Sequence, residues 1–293
     1  MDSMPLDLVL VRHGRSEGNL ADDWQNEGRV DEARAFWAAR HTSQYRLTKK
    51  GREQARAAGA WLQANLPGPF DLAYSSDYAR ARETAGELGI EGQAWHVTFN
   101  LHERDHGVMR SLQGEGLEAA LAAKHANPFY WRPLGGESVA DICVRVDRVL
   151  QTVRKRYAGQ RVIIVCHAEV MQAFRVRIEH ILPEEYRRFH SGHPFDHIHN
   201  GQVLHYTRRD PAIGVVAEKA LWVRSVCPWD TALSPNEFEA VGRATYDNAS
   251  MLEGAAGIPQ LLSEEGEQAA RVGPGRRKAD NGKPRPQARP QSR

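Results

Sequence analysis

Apolar residues along the chain fall into two patterns, short runs and longer segments in which they recur every three or four positions. The short runs have the length of β-strands. They lie at residues 8–11, 70–76, 161–166, 202–206 and 221–226. The run at 161–166 is nearly all apolar, which is typical of a central parallel strand covered on both faces.

The segments with helical spacing begin at residues that favour helix starts. Thr48 is a candidate N-cap for a helix that ends near Leu66. Ser138 opens a Ser-x-x-Asp start, and apolar residues follow it at helical spacing as far as Val153. Further helices are expected at about 32–40, at about 77–88, and after residue 167 as far as Pro183.

Strands that alternate with helices predict an α/β fold, a three-layer sandwich with a mostly parallel central sheet flanked by helices on both faces. Residues 1–248 are expected to form this domain. The charged and aromatic segment 20–46 is either an ordered surface loop or a cap over a site at the end of the first strand. Residues 249–293 are predicted to be a disordered charged tail, either solvated or docking on an anionic partner.

Composition narrows the class of protein. A net charge of +2, with 41% hydrophobic and 26% charged residues, describes a soluble globular chain and gives no argument for nucleic-acid binding. The three cysteines form no C-x-x-C pair, which favours a reducing, cytoplasmic setting. The first residues do not form a signal peptide, and no apolar run reaches membrane-spanning length. Both a monomer and a homodimer remain open.

The first strand ends in Arg12-His13-Gly14, and this stretch carries the candidate chemistry. Strand ends are where open α/β sheets bind ligands. A neutral histidine is a nucleophile, and an arginine offers a planar donor fork to phosphate oxygens. Gly14 permits close approach of the backbone, and the start of a following helix favours an anion. The stretch therefore predicts a site for a phosphoryl group.

The stretch Leu8–Asn19 resembles the signature of the histidine phosphatase superfamily, also called phosphoglycerate mutase-like. Five further fragments match the pattern of that family in order. They are Ser76–Ala85, Leu101–Gly107, Gly135–Ser138, Val165–His167 and Asn200–Leu204. The resemblance covers about residues 6–206.

The resemblance implies a phosphomonoesterase that acts on a small-molecule phosphomonoester. His13 would form a phosphohistidine, and Glu103 would be the proton donor, with Glu17, Asp105 and Glu169 as rival acids. The implied catalytic set is His13, Glu103, His167, Arg12 and Arg80, and the implied phosphate-binding set is Arg12, Ser16, Asn19, Arg80 and His167. Arg82 should point away from the site. No metal and no other cofactor is implied, because the arginines supply the positive charge.

The family also contains cofactor-dependent phosphoglycerate mutases, which return the phosphoryl group to the substrate. That branch has an aromatic residue three positions after the glutamate, and a lysine and an arginine pair that grip the glycerate carboxylate. This chain has His106, no nearby lysine before Lys124, and the single Arg132. Since an unpaired buried carboxylate is costly, hydrolysis is favoured and mutase activity is the alternative.

Three further points stay as expectations. Ala168 stands where many relatives have glycine after the second histidine, and Glu169 follows it. The extra carboxylate of Glu169 would repel phosphate unless it points away or pairs with an arginine. A weakly active binding module is an alternative of another class. A metal site in the histidine cluster is disfavoured, because no cysteine or carboxylate stands there at a zinc-binding spacing; the cluster is His190, His193, His197 and His199.

Overall fold

A computed structural model describes residues 3–190, 196–218, 221–242 and 245–262. The chain divides into two compact units, Met1–Arg243 and Ala244–Arg293. The first unit is built on a seven-stranded sheet. Its strands are β1 (Asp7–Arg12), β2 (Leu72–Ser76), β3 (His96–Thr98), β4 (Arg161–Cys166), β5 (Val203–Thr207), β6 (Trp222–Val226) and β7 (Phe238–Ala240).

The strand order is β3-β2-β4-β1-β5-β6-β7. The first four strands in this order pair in parallel, whereas β5, β6 and β7 pair antiparallel from β1 outward. The predicted α/β fold with a mostly parallel centre is confirmed. The antiparallel strands β5, β6 and β7 at one edge of the sheet were not predicted. Within the described residues no α-helix intervenes between β5 and β7, and parallel neighbours need such a crossover.

Seven α-helices of the first unit surround this sheet in the described residues. They are α1 (Glu17–Asn26), α2 (Val30–Ala39), α3 (Lys49–Asn65), α4 (Ala79–Glu87), α5 (Gly114–Ala126), α6 (Val139–Arg156) and α7 (Ala168–Glu179). The predicted helix starts at Thr48 and Ser138 are confirmed. Thr48 accepts a hydrogen bond from the Gly51 amide at 3.1 Å, and Ser138 forms a capping box with Asp141.

Two apolar clusters lie on opposite faces of the sheet, as a three-layer fold requires. Leu8 and Leu10 of β1 belong to the cluster that contains the buried residues of α6 and α7. Val9 and Val11 belong to the cluster that contains the buried residues of α3 and α4. Alternate residues of one strand thus face the two helical layers, so β1 is buried on both sides.

The helix α8 (Asn248–Ala256) belongs to the second unit. Asp247 caps it by accepting a hydrogen bond from the Ser250 amide at 2.8 Å. Residues 249–262 of the predicted tail are therefore partly helical and exposed, and residues 263–293 lie outside the described part of the chain. None of the helices in the described residues is long and apolar enough to span a membrane.

Candidate active site

Two buried histidines meet at the carboxyl ends of neighbouring parallel strands. His13 follows β1 and His167 follows β4, and Arg12 pairs with Cys166 in the ladder between these strands. The ring centroids of the histidines are 5.1 Å apart, and the two residues are 2% and 0% exposed. The sheet therefore brings together the two histidines that the sequence predicts for one site.

The hydrogen bonds of His13 define its tautomer. Nδ1 lies 2.7 Å from the Gly14 carbonyl oxygen, which can only accept, so Nδ1 carries the proton. Nε2 accepts a hydrogen bond from Arg80 Nε at 3.1 Å and keeps its lone pair. Burial holds the pKa of His13 well below its ordinary value, and the charges of Arg80 and Arg12 add to this effect. The imidazole is neutral at physiological pH and presents Nε2 as a nucleophile.

His167 is oriented by a hydroxyl that lies 91 positions earlier in the chain. Its Nε2 lies 2.9 Å from Ser76 Oγ at the end of β2, and its Nδ1 lies 4.0 Å from Glu103 Oε2. Burial, reinforced by the charge of Arg80, holds the pKa of His167 well below its ordinary value. The second histidine is therefore neutral as well, and it stands between the nucleophile and the candidate acid.

Two guanidinium groups, those of Arg80 and Arg12, act on both histidines with their positive charges. Arg80 comes from the first turn of α4, and its Nη1 donates to the Thr42 carbonyl at 2.7 Å. Burial lowers the pKa of Arg80 to about 10, so it stays cationic at neutral pH. Arg12 donates through Nη1 to the Ile198 carbonyl at 2.5 Å. Arg82 is exposed, which confirms that it points away from the site.

The start of α1 forms one side of the site. Ser16 is the N-cap, and Asn19 Oδ1 accepts from the Ser16 amide at 3.1 Å in a capping box. Asn200 Nδ2 donates both to Asn19 Oδ1 at 3.2 Å and to the His13 carbonyl at 3.1 Å. Ser16 therefore holds the helix start, while the Nδ2 group of Asn19 remains to donate to a ligand.

Close backbone packing holds the His13 loop against α3. A Cβ atom added to Gly14 would lie 2.1 Å from the Gly51 carbonyl oxygen. The Gly14 amide donates to Thr84 Oγ1 at 3.0 Å, and that hydroxyl donates to the Arg80 carbonyl at 2.8 Å. Only glycine fits at position 14, because any side chain would push the loop away from the helix.

Glu103 carries the carboxyl group that lies with both histidines. Ligand atoms of Glu103, His13 and His167 all lie within 4.8 Å of one another. Burial raises the pKa of Glu103, and the negative charge of Glu169 raises it further against the opposing charge of Arg80. A carboxyl group with a raised pKa keeps its proton closer to neutral pH, as a general acid requires.

The extra carboxylate of Glu169 is paired within the site. Arg104 Nη1 lies 2.9 Å from Glu169 Oε1, and His106 Nε2 lies 3.3 Å from Oε2. Burial acts to raise the pKa of Glu169, but the charges of His106 and Arg104 outweigh it and lower the pKa. Glu103 and Glu169 are therefore pushed towards opposite protonation states, the first neutral and the second ionised.

The other rival acids are less well placed, although Asp105 also lines the pocket described below. Glu17 Oε2 accepts from the Arg46 amide at 2.8 Å. Asp105 is exposed, and its Oδ1 accepts from the Gly107 amide at 2.8 Å. Neither carboxylate is grouped with the two histidines, which leaves Glu103 as the best-placed acid.

The group formed by His13, Glu103 and His167 has the donor types of a metal site. The guanidinium groups of Arg12 and Arg80 act on both histidines, and their charges oppose a divalent cation there. The cluster near residue 197 is partly outside the described residues, which exclude His193 and the side chain of His190. The rings of His197 and His199 lie 4.6 Å apart.

A pocket of about 390 Å³ opens above these groups. Its floor includes Arg12, His13 and Arg80, and its walls come from α1, from the segment 20–46 and from the loop that carries Glu103. The segment 20–46 contributes Asp22, Trp37, Arg40, His41, Thr42 and Tyr45. Ser16, Asn19 and Glu103 also line the pocket, whereas His167 lies buried below it.

Sequence reasoning missed two residues of this site. Ser76 begins the fragment Ser76–Ala85, but no local pattern indicates that its hydroxyl orients His167. Arg104 is 1% exposed and fixes Glu169, which lies 65 positions later. The pairing of Arg104 with Glu169 cannot be predicted from the sequence, because only the fold brings these two residues together.

Comparisons with known proteins agree with this geometry. The model of the histidine phosphatase superfamily (branch 1) matches residues 8–213. A 2,3-bisphosphoglycerate-dependent phosphoglycerate mutase of Xanthobacter autotrophicus is 31% identical over 192 residues, covering 60% of this chain and 83% of the relative. A second relative of the same name, from Azorhizobium caulinodans, is 30% identical over 195 residues, covering 60% of this chain and 83% of the relative.

Solved structures show the same fold. A mycobacterial glucosyl-3-phosphoglycerate phosphatase in complex with VO3 aligns with a TM-score of 0.52 at 23% identity, covering 68% of this chain and 92% of that one. A putative alpha-ribazole-5'-P phosphatase from Escherichia coli aligns with a TM-score of 0.53 at 19% identity, covering 73% and 96%. The family match spans well over half of the chain, and the chain belongs to the histidine phosphatase superfamily, branch 1.

Proposed function

We propose that this protein hydrolyses phosphomonoesters through a phosphohistidine on His13, with Glu103 as the proton donor. The observation that carries the proposal is the arrangement of His13. Its Nδ1 proton is held by the Gly14 carbonyl, and its Nε2 lone pair stands beside the Arg80 guanidinium at the floor of the pocket. A neutral imidazole fixed in this tautomer is suited to attack phosphorus.

In the first step, His13 Nε2 forms a bond to phosphorus while the ester P–O bond breaks. Arg80 Nε transfers its hydrogen bond from Nε2 to a phosphoryl oxygen. Arg12, Asn19 and Arg80 neutralise the charge that spreads over the phosphoryl oxygens in the transition state. The raised pKa of Glu103 keeps the proton that the leaving oxygen takes up.

In the second step, the Glu103 carboxylate removes a proton from water, and the water oxygen attacks phosphorus. The N–P bond to His13 breaks, and inorganic phosphate leaves. His13 returns to its neutral form and Glu103 to its protonated form, which restores the enzyme for the next turnover. The buried Glu169, held by Arg104, keeps the pKa of Glu103 high through both steps.

Water is favoured over a second substrate as the phosphoryl acceptor. Arg132, the single arginine where the mutase branch has a pair, is bonded to Asp141 with 59% of its side chain exposed, and it does not line the pocket. His106, at the aromatic position, is bonded to Glu169. Arg132 is therefore not placed to bind a glycerate carboxylate, and His106, which lines the pocket, is held by Glu169. Mutase activity stays the alternative, because the relatives near 31% identity carry that name.

The segment 20–46 acts as a cap in this proposal. Trp37 and Arg40 line the pocket from the end of α2, and the Thr42 carbonyl holds Arg80. A cap that lines the phosphate pocket limits which leaving groups can enter. Residues 1–248 are proposed as the catalytic domain.

Phosphate release from a panel of phosphomonoesters that includes 3-phosphoglycerate, without added metal, tests the proposal. The wild type should release phosphate, and His13→Ala should abolish the release. Glu103→Gln should slow alkyl phosphates more than 4-nitrophenyl phosphate, whose leaving oxygen needs no proton. Isomerisation of phosphoglycerate without release would support the mutase, and turnover by His13→Ala would exclude the phosphohistidine. Absence of turnover on every compound would favour the binding module.

A further inference from the structure

A second cavity of about 340 Å³ adjoins the phosphate pocket. The two cavities share four lining residues, which are Asp22, Trp37, His106 and Arg110. A ligand whose phosphoryl group reaches His13 can therefore extend past these residues into the second space. We call this space the distal cavity, and it has the size of a small-ligand site.

Half of the twelve residues that line the distal cavity are apolar. Met109 and Leu112 come from the short helical turn after the Glu103 loop, and Leu117 and Leu121 come from α5. The indole of Trp131 also lines it. Such a surface favours the burial of an aliphatic or aromatic group. None of the residues of α5 is buried, so the helix leaves this apolar side available to a ligand.

Polar groups without hydrogen-bond partners point to a second requirement of the ligand. Lys124 lines the distal cavity and makes no hydrogen bond with the described residues, and its charge acts on the carboxylate of Glu169. Trp37 Nε1 is buried without a hydrogen-bond partner in the described part of the chain. Buried donors are normally satisfied, so an unpaired indole N–H in the same cavity as a lysine is suited to an acceptor on the ligand.

The charged residues give the lining of the distal cavity a positive excess. At the junction, Asp22 is paired with Arg110 at 3.4 Å, and the Arg110 guanidinium lies 4.9 Å from the centre of the Trp37 ring. Among the described residues, Arg34 pairs with the exposed Asp31, at 3.9 Å. Asp22 is the one acidic side chain among the described lining residues, and it is neutralised by Arg110.

We propose that the distal cavity binds the leaving group of the substrate, and that this group is an apolar body ending in an anionic group that pairs with Lys124. This inference rests on the proposed function for the position of the phosphoryl group. The substrate class is therefore a phosphomonoester of an amphiphilic acid, rather than a small polar metabolite such as glycerate. Arg34 adds a second positive charge to the lining of the cavity.

Calorimetric titration of the wild type with phosphonates tests this inference, because their C–P bond is not hydrolysed. The ligands are methylphosphonate, then butyl-, hexyl- and octylphosphonate, and the ω-carboxy counterpart of each longer chain. Affinity should rise from methyl to the longer chains. At the chain length that spans the cavity, the carboxylate should raise the affinity about tenfold or more. This is the effect of one charge-assisted hydrogen bond.

Lys124→Gln should remove the gain that the carboxylate gives. Lys155→Gln is the matched control, since Lys155 is exposed on α6 and lines neither cavity, and it should keep the gain. Equal affinity for methyl and all longer chains, no gain from the carboxylate at any length, or a gain that survives Lys124→Gln would overturn the inference. Lys124-dependent binding by a protein that releases no phosphate would support the distal cavity and refute the hydrolase proposal.

Discussion

Replacing Arg104 with alanine should destabilise the protein more than any exposed arginine substitution. Its side chain is 1% exposed, and its three hydrogen bonds join distant parts of the site. Nη1 donates to Glu169 at 2.9 Å, Nε to the Glu137 carbonyl at 2.7 Å, and Nη2 to the Trp131 carbonyl at 3.0 Å. The substitution leaves a buried carboxylate with a weaker partner and two carbonyls without donors.

The expected loss of stability in Arg104→Ala follows from the burial of its ion pair with Glu169. Removing one partner of a buried pair typically costs about 3–5 kcal/mol, because the remaining charge is left uncompensated. The side chain of Glu169 is 15% exposed, and His106 still contacts it, so a value near 3 kcal/mol is expected. For a domain of this size that corresponds to a fall in Tm of roughly 6–12 °C.

Thermal and urea unfolding, followed by circular dichroism, measure this cost. Arg132→Ala is the control, since its pair with Asp141 is 59% and 32% exposed and should contribute less than about 1 kcal/mol. Adding Glu169→Gln to Arg104→Ala should recover part of the loss, because the unpaired charge is removed. Equal effects of Arg104→Ala and Arg132→Ala, or no recovery in the double variant, would refute the reasoning.

Three further substitutions test other contacts of the site. Gly14→Ala should destabilise the protein by about 3 kcal/mol or more and abolish turnover, because its Cβ would lie 2.1 Å from the Gly51 carbonyl oxygen. Glu169→Gln should move the basic limb of the pH–rate profile to lower pH. Loss of the Glu169 charge lowers the raised pKa of Glu103, so the acid loses its proton earlier as pH increases. Ser76→Ala should lower kcat about fivefold to tenfold, because the second histidine loses an orienting hydrogen bond.

Each of these predictions has an outcome that contradicts it. Wild-type stability in Gly14→Ala, measured by urea unfolding, would show that the loop does not need its close approach to α3. A basic limb that stays in place or moves to higher pH in Glu169→Gln would show that the Glu169 charge does not raise the pKa of Glu103. Unchanged steady-state kcat in Ser76→Ala would show that the hydroxyl does not orient the histidine.

The sequence predicts well which residues of the candidate site meet at one edge of the sheet, because they follow strand ends. His13 and His167 each follow an apolar run, and Arg80 lies in the first turn of α4, after β2. Parallel strands bring their carboxyl ends to one edge of the sheet, so these residues meet once the fold class is known. The helix starts at Thr48 and Ser138 are predictable for a similar reason, since capping acts over a few neighbouring residues.

Other features depend on contacts that no local pattern encodes. The pair of Arg104 and Glu169 and the bond between Ser76 and His167 join residues far apart in the chain. Helix α5 has only two large apolar residues, Leu117 and Leu121, which is too weak a pattern to identify a helix from the sequence. The antiparallel direction of β5 to β7 follows from connections without a helix, whereas the apolar runs alone do not give strand direction.

Trapping a covalent phosphohistidine on His13 is the most direct test of the proposed mechanism. Rapid mixing with a phosphomonoester labelled on phosphorus, followed by alkaline quench and peptide mapping, measures the phosphoenzyme. We predict an acid-labile, alkali-stable label on the peptide that contains His13, absent from His13→Ala and longer-lived in Glu103→Gln. Phosphate release without any labelled enzyme, or a label on another residue that persists in His13→Ala, would contradict it.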